Sequence, residues 1–200
     1  MDSDRWAIRS SLVKAMPTIF SHAIFSSAMG AAYASQPMPW KFWFWAAACS
    51  VLPDLDVIAF SFGISYRSIW GHRGFTHSLM FALLAGGVIA WLAFRQKELF
   101  AMKRSRASLA IFFTLAIASH LALDSLTDGG LGVAIFAPFE NSRDFAPWRP
   151  IEVSPIGADF FSARGLLVLA SEMIWVWLPA LALVAVGKLF QRFVRSNNTN

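Results

Sequence analysis

The chain has one cysteine in 200 residues, four histidines, two tyrosines and only 14% charged side chains. A lone thiol, Cys49, set in an apolar run excludes a disulfide framework and a thiolate zinc site. No nucleotide-binding glycine loop, zinc ribbon, internal repeat or low-complexity tract stands out, and nothing suggests a haem or flavin pocket. Polar surface is scarce as well: 56% of residues are hydrophobic and mean hydropathy is +0.52. That is too apolar for an ordinary soluble domain, so a membrane is the expected solvent.

What is present is a series of apolar runs near the ~20 residues that cross a bilayer. They fall roughly at 18–35, 40–62, 75–94, 107–127 and 166–187. The expected fold is all-α: a polytopic membrane helix bundle of about five apolar segments, some broken or re-entrant, in one embedded domain over 18–190. Residues 1–17 mix Asp2 and Asp4 with Arg5, Arg9 and Lys14 and lack a short apolar core before a cleavage site. They read as a retained interfacial segment rather than a cleavable signal. The longest polar stretch is a loop at about 128–164, and 191–200 reads as a disordered tail.

Basic residues in short loops set orientation. The linker after the third run carries Arg95, Lys97, Lys103, Arg104 and Arg106 against Glu98, and Lys188, Arg192 and Arg195 follow the last run. Both are expected on the cytoplasmic side. Five crossings then place the N-terminus outside, in conflict with Arg5, Arg9 and Lys14, so either the first segment is re-entrant or interfacial or the later loops overrule it. The net charge of +5 and pI near 9.9 are accounted for by these loops and by anionic lipids, so no nucleic-acid partner is expected. Trp40, Trp43 and Trp45 form an aromatic belt at a span entry.

The histidines define the chemistry. His22, His72, His77 and His120 sit in or beside apolar runs, accompanied by Pro53-Asp54-Leu55-Asp56, His72-Arg73-Gly74-Phe75-Thr76-His77 and His120-Leu121-Ala122-Leu123-Asp124. Such N and O donors suit divalent metals. Asp54 and Asp56, two apart, would splay on a continuous helix, so a break at Pro53 is needed to aim both at one site; alternatively the run ends at Leu52 and both are wet loop residues. Gly74 permits a turn that brings His72 and His77 together, with Thr76 as a helix cap. Arg73 suits an anionic substrate or a developing negative charge, or else serves with His72 as an interfacial anchor. His120 and Asp124, four apart, project from one helix face, where Asp124 either joins a metal site or merely orients His120. All these motifs lie opposite the basic linker, hence on the non-cytoplasmic face, and His22 joins them if the first segment starts there. Arg143 and Arg149 are candidates for a phosphate or headgroup, or anchors beside Trp148. Glu172 either completes the site or lies at the interface.

The ordered motifs His22, Pro53-Asp54-x-Asp56, His72-Arg73-Gly74-x-Thr76-His77-Ser78 and His120-x-x-x-Asp124-Ser125-x-Thr127 resemble the YdjM-like family of bacterial inner-membrane proteins, described as metal-dependent hydrolases. Pro138-Phe139, Arg149-Pro150-Ile151 and Pro155-Ile156-Gly157 add to the likeness. The resemblance implies a metal-binding set of His22, Asp54, Asp56, His72, His77, His120 and Asp124. A more distant, partial similarity is to zinc-dependent phospholipases C and single-strand nucleases, but no histidine follows His120, so one or two ions fit better than three. The expected cofactor is a divalent metal, Zn²⁺ first and Mn²⁺ second. The expected activity is hydrolysis of an ester or phosphoester, small or lipid-linked, with Asp54 or Asp56 as base and Arg73 stabilising charge. The alternatives are a cation transport or sensing site, or a membrane interaction protein with a structural metal.

Overall fold

The structure, a computed structural model, describes residues 17–154 and 161–197. The expected interfacial segment, apart from its last residue, and the Pro155-Ile156-Gly157 motif lie outside the described residues. Helix α1 spans Ile19–Tyr33, α2 Trp40–Val51, α3 Leu79–Ala93, α4 Gln96–Ala101 and α5 Arg106–Ser125. A final rod joins α6 (Ala163–Glu172) through a π-helical stretch (Met173–Trp177) to α7 (Leu178–Asn197). No strand occurs among the described residues, only isolated bridges pairing Thr127 with Ile151 and Val133 with Asp144. The protein is an all-α membrane bundle.

Local chemistry sets the boundaries. Thr18, Ser78 and Ser105 cap α1, α3 and α5 by accepting from Ser21, Phe81 and Ser108 backbone N–H groups, satisfying donors that a helix start leaves unpaired. Pro53 has no N–H to continue the α2 ladder, so Leu52–Phe62 tightens into a 3₁₀ helix that ends at Gly63 in the left-handed region, φ 74°. The second apolar run is thus one element with two pitches. Its broken form matches the expectation from Pro53.

Trp40–Phe62, Arg106–Ser125 and Ala163–Asn197 are long and apolar enough to cross a membrane. Helices α1 and α3 have 15 residues each, about 22 Å of helix against a hydrocarbon core of ~30 Å. Helix α3 starts four residues later than its apolar run because Phe75–His77 is spent on a 3₁₀ turn. Leu83, Leu92, Ile111, Leu166 and Leu181 are all exposed, as lipid-facing side chains are. The packed interior holds Phe42, Phe94, Phe112, Phe113 and Ile117. Helices α3 and α5 approach closely at Gly86, where a Cβ would fall 2.5 Å from the backbone nitrogen of Thr114.

Successive helices run antiparallel, which separates the charges. One end carries Lys41, Arg95, Lys97, Lys103, Arg104, Arg106, Lys188, Arg192 and Arg195, and Glu98 is the sole acid there among the described residues. Every other described acid lies at the opposite end, with the histidines. Helix α1 begins at the histidine end and finishes at the basic one, where Arg104 donates to the Tyr33 carbonyl at 2.6 Å. The expected disordered tail from 191 is corrected as far as Asn197, since α7 continues through it. Gln191 and Arg195 donate to the Ala32 and Ser35 carbonyls and tie these turns to the end of α1.

Candidate metal centre

Four elements deliver donors to one buried point: α1 supplies His22, the 3₁₀ half of the second span Asp54 and Asp56, the turn before α3 His72, Arg73 and His77, and α5 His120 and Asp124. A 3₁₀ helix turns 120° per residue, so positions two apart are about 120° apart instead of the roughly 160° of an α-helix. Asp54 and Asp56 therefore flank His77 from two sides. Asp54 Oδ1 lies 3.5 Å from His77 Nε2, and Asp56 Oδ2 lies 3.1 Å from His77 Nδ1.

The 63–78 backbone is irregular and is held by protein contacts. Arg73 has φ 60°, a left-handed conformation unusual for a non-glycine residue. Gly74 next to it has no room for a side chain, since a Cβ would meet the Ile69 carbonyl oxygen at 2.2 Å. The loop after α5 lies across this turn: Arg143 donates to the carbonyls of His72, Tyr66 and Ser68, and Ala134 N–H to that of Arg73. Arg143 is thus a brace for the turn and not a free headgroup ligand. Arg149 stacks over Phe145 and Trp148 packs on Trp175, an anchoring arrangement.

The histidine partners fix which nitrogen can bind a metal. His120 Nδ1 is 2.7 Å from the Ser50 carbonyl, which can only accept, so the proton sits on Nδ1 and Nε2 presents a lone pair. His77 Nδ1 faces the Asp56 carboxylate, which likewise leaves Nε2 as an acceptor. The two Nε2 atoms are 3.0 Å apart. Asp54 Oδ1 is 3.2 Å from His120 Nε2, and Asp124 Oδ2 is 3.3 Å from His77 Nε2 and 3.7 Å from His120 Nε2. A tetrahedron of donors at zinc distances of about 2.0 Å has edges near ~3.3 Å. The observed spacings scatter around that value.

Further observations fit a cation here. Neither carboxylate oxygen of Asp54 or Asp124 has a hydrogen-bond partner, although all four atoms are buried. The cluster holds three buried carboxylates, Asp54, Asp56 and Asp124, and one buried guanidinium, that of Arg73, which meets Asp124. With neutral histidines, the excess negative charge equals that of one divalent ion, and uncompensated buried charge is costly. The residues present therefore fit a metal held by Asp54, His77, His120 and Asp124. His22 stacks on His120 with ring centroids 3.9 Å apart, and its Nε2 is 3.6 Å from Asp124 Oδ1, so it sits beside the tetrad.

Asp56 has a different surrounding. It accepts from His72 Nδ1 at 2.6 Å, Thr76 Oγ1 at 2.5 Å and the Arg73 backbone N–H at 3.2 Å, besides facing His77. Asp56, His72 and His77 form a second donor group that shares His77 with the first. Thr76 does not cap the helix, as the sequence suggested; Ser78 takes that place and leaves Thr76 for Asp56. Arg73 is fully buried, with Nε 3.0 Å from Asp124 Oδ2 and donations to Gly129 O and Thr127 Oγ1. The sequence reading assigned Arg73 to substrate charge, but these contacts commit its guanidinium to Asp124 and the following loop. It also missed Ser50, whose carbonyl has no side-chain signature. Glu172 stands apart from the tetrad and accepts from Thr18 N–H, Thr18 Oγ1 and Ser21 Oγ at the start of α1, where the helix dipole favours a carboxylate.

No solved structure matches this chain. Inner membrane protein YbcI of Escherichia coli (strain K12) is 37% identical over 175 residues, 86% of this chain and 96% of that protein. The family description "YdjM inner membrane protein" matches residues 16–196, which include every donor named above, and the chain belongs to that family.

Proposed function

We propose that the protein is a membrane-bound metal-dependent hydrolase acting on an ester or phosphoester, small or lipid-linked. The observation that carries this reading is the convergence of the Nε2 atoms of His77 and His120 with the buried carboxylates of Asp54 and Asp124 at zinc-like spacing. Asp54, His77, His120 and Asp124 would hold a divalent ion, Zn²⁺ before Mn²⁺ on donor type, which would supply water activation near neutral pH and polarisation of the oxygen under attack.

The chain's own residues then divide the work. Asp54 is the one tetrad member with measurable exposure, 6%, so water and substrate approach from its side. Its Oδ2 has no partner and accepts the proton of the attacking water. Asp56 holds the Nδ1 proton of His77 and keeps that ring in its ligating tautomer. Arg73 fixes Asp124 and moderates its charge. The basic end faces the cytoplasm by the positive-inside rule, which puts the metal centre on the other face of the bacterial inner membrane.

A second reading is favoured by one feature. Four protein donors complete a tetrahedron, as closed structural sites do, whereas catalytic zinc keeps a position open. The test measures both: elemental mass spectrometry on detergent-purified protein for metal per chain, and turnover of phosphoester and carboxylester lipids and chromogenic analogues. About one tightly held ion with turnover, both lost in His120→Ala, supports the hydrolase. A held ion without turnover across the panel supports the structural site. No stoichiometric metal after reloading overturns both.

A further inference from the structure

The metal centre opens beside an apolar surface. Asp54, the one tetrad donor with any exposure, sits on a 3₁₀ stretch whose other side chains from Leu52 to Phe60, apart from Asp56, are all apolar. Leu55 next to it is 56% exposed, and Ile58, one 3₁₀ turn further on, is 53% exposed. Val51 and Val57, one turn before and after Asp54, are half-buried. Exposed aliphatic side chains at this density are costly in water and ordinary against lipid.

Depth agrees with this. The second span begins at Trp40, an exposed member of the aromatic belt at the basic end. Rises of about 1.5 Å per residue to Val51 and ~2.0 Å beyond it put Asp54 about 22 Å along the span and Phe62 about 38 Å along. Against a hydrocarbon core of ~30 Å, Asp54 lies roughly 8 Å inside the far boundary and Phe62 lies beyond it. The loops at that end expose Trp70, Phe136, Phe139 and Trp148, aromatic side chains of the kind that sit among headgroups. The loop bearing Phe136 is tied to the turn that carries Arg73 and His77: Ala134 N–H donates to the Arg73 carbonyl, and Leu79 N–H to that of Ile135. These loops close over the centre at headgroup level, and the flank at Leu55 and Ile58 faces acyl chains.

We propose that the metal centre takes its substrate sideways from the bilayer, through an opening beside Asp54, Leu55 and Ile58, and that this substrate is a membrane-resident amphiphile. Its ester or phosphoester linkage joins an apolar tail to a polar head and so lies at the boundary of the hydrocarbon core by construction. A water-soluble ester reaches the same donors only by entering hydrocarbon. This substrate class rests on the hydrolase reading and narrows it.

The test uses the full chain, loaded with Zn²⁺ and reconstituted in liposomes, and pairs of chromogenic lipids with identical acyl chains and an identical scissile group, one pair carboxylesters and one pair phosphodiesters. In one lipid of each pair the group joins the glycerol directly; in the other an ethylene glycol spacer lifts it into water. Both are anchored, so their concentration at the membrane is equal and only depth differs. Turnover at least about tenfold faster for the directly joined lipid is expected, because the spaced group is held away from the opening. Equal turnover, or faster turnover of the spaced lipid, overturns the lateral route and leaves the hydrolase standing. No turnover of any of them by protein that holds its ion overturns the hydrolase reading, and the substrate class falls with it.

Spin labels supply a readout free of activity. The native Cys49 is fully buried, so a nitroxide attaches at Leu55→Cys or Ile58→Cys alone. It should collide more with dissolved oxygen, which collects in lipid, than with a water-soluble nickel chelate. Preferential collision with the chelate at these positions puts the flank in water and overturns the proposal whatever the turnover. The two positions report separately and the lipid comparison uses wild-type protein, so a variant that fails to fold leaves the decision in place.

Discussion

His77 and His120 face each other through Nε2 atoms 3.0 Å apart, and each ring gives its Nδ1 to an acceptor, Asp56 in one case and the Ser50 carbonyl in the other. Two such lone pairs repel unless a proton or a metal cation lies between them. The bundle holds them there through four elements: the turn before α3, the end of α5, the last turn of α2 and the 3₁₀ half of the second span that carries Asp56. The centre is therefore built to need positive charge, and its acidic surroundings supply none beyond Arg73.

Asp54 and Asp56 differ in what surrounds them, so isosteric amides separate their roles. Asp54→Asn replaces an unpartnered oxygen at the tetrad and is expected to abolish tight metal binding. Asp56→Asn keeps the tetrad but removes the carboxylate that orients His77, and loss of such a partner typically costs about 10–100-fold in affinity. Metal titration of the two proteins by isothermal calorimetry checks the order. Equal loss in both would place Asp56 among the ligands.

Arg73 is expected to matter for stability before it matters for chemistry. Arg73→Ala leaves Asp124 buried without its guanidinium and strands Thr127 and Gly129, a change on the order of 3–5 kcal/mol for a broken buried pair. Arg73→Lys restores charge but not the three-way fork to Asp124, Thr127 and Gly129, so recovery is partial. Thermal unfolding in detergent, with metal content measured alongside, is the readout. A lysine variant as stable as wild type would remove the positioning role.

The membrane class and the gathering of motifs at one end were legible because they follow from composition, run length and the order of motifs along antiparallel spans. The pairing of His120 with Asp124 was visible as an i,i+4 spacing, and the break at Pro53 followed from a missing N–H. What the sequence could not disclose was partnership across the fold. Asp54 and Asp56 look alike in Pro-Asp-Leu-Asp, and only the 3₁₀ pitch separates them into an unpartnered carboxylate and a saturated one. Arg73 looked available to a substrate because nothing local to it shows that Asp124, fifty-one positions on, takes its guanidinium. Glu172 found its partners at Thr18 and Ser21, at the far end of the chain.

At the basic end, Glu98 gives a pH dependence of defined sign. The Arg95 backbone N–H, followed by Lys41, holds its carboxyl below the usual carboxylate range. A depressed folded value means that the stabilisation is present above the unfolded pKa near ~4.3 and is lost as pH falls through the folded one. Wild type and Glu98→Gln are thus expected to differ modestly at pH 6 and to converge in acid. Added salt reduces the Lys41 share, since that pair is partly exposed. Unfolding midpoints from pH 6 to pH 3 at two ionic strengths test this, and a gap that widens in acid would contradict it.

Sidedness is decided by labelling, because the native thiol is silent: Cys49 is fully buried. Single cysteines at Glu140→Cys, in the exposed loop over the metal centre, and at Lys97→Cys, in the basic linker, report on the two ends. The charge asymmetry puts nine cations and one acid, among the described residues, at the linker end, and short basic loops stay cytoplasmic. A membrane-impermeant maleimide applied to intact spheroplasts should therefore modify Glu140→Cys and reach Lys97→Cys only after permeabilisation. The reverse pattern would turn the centre toward the cytoplasm and restrict its substrates to that compartment and its leaflet.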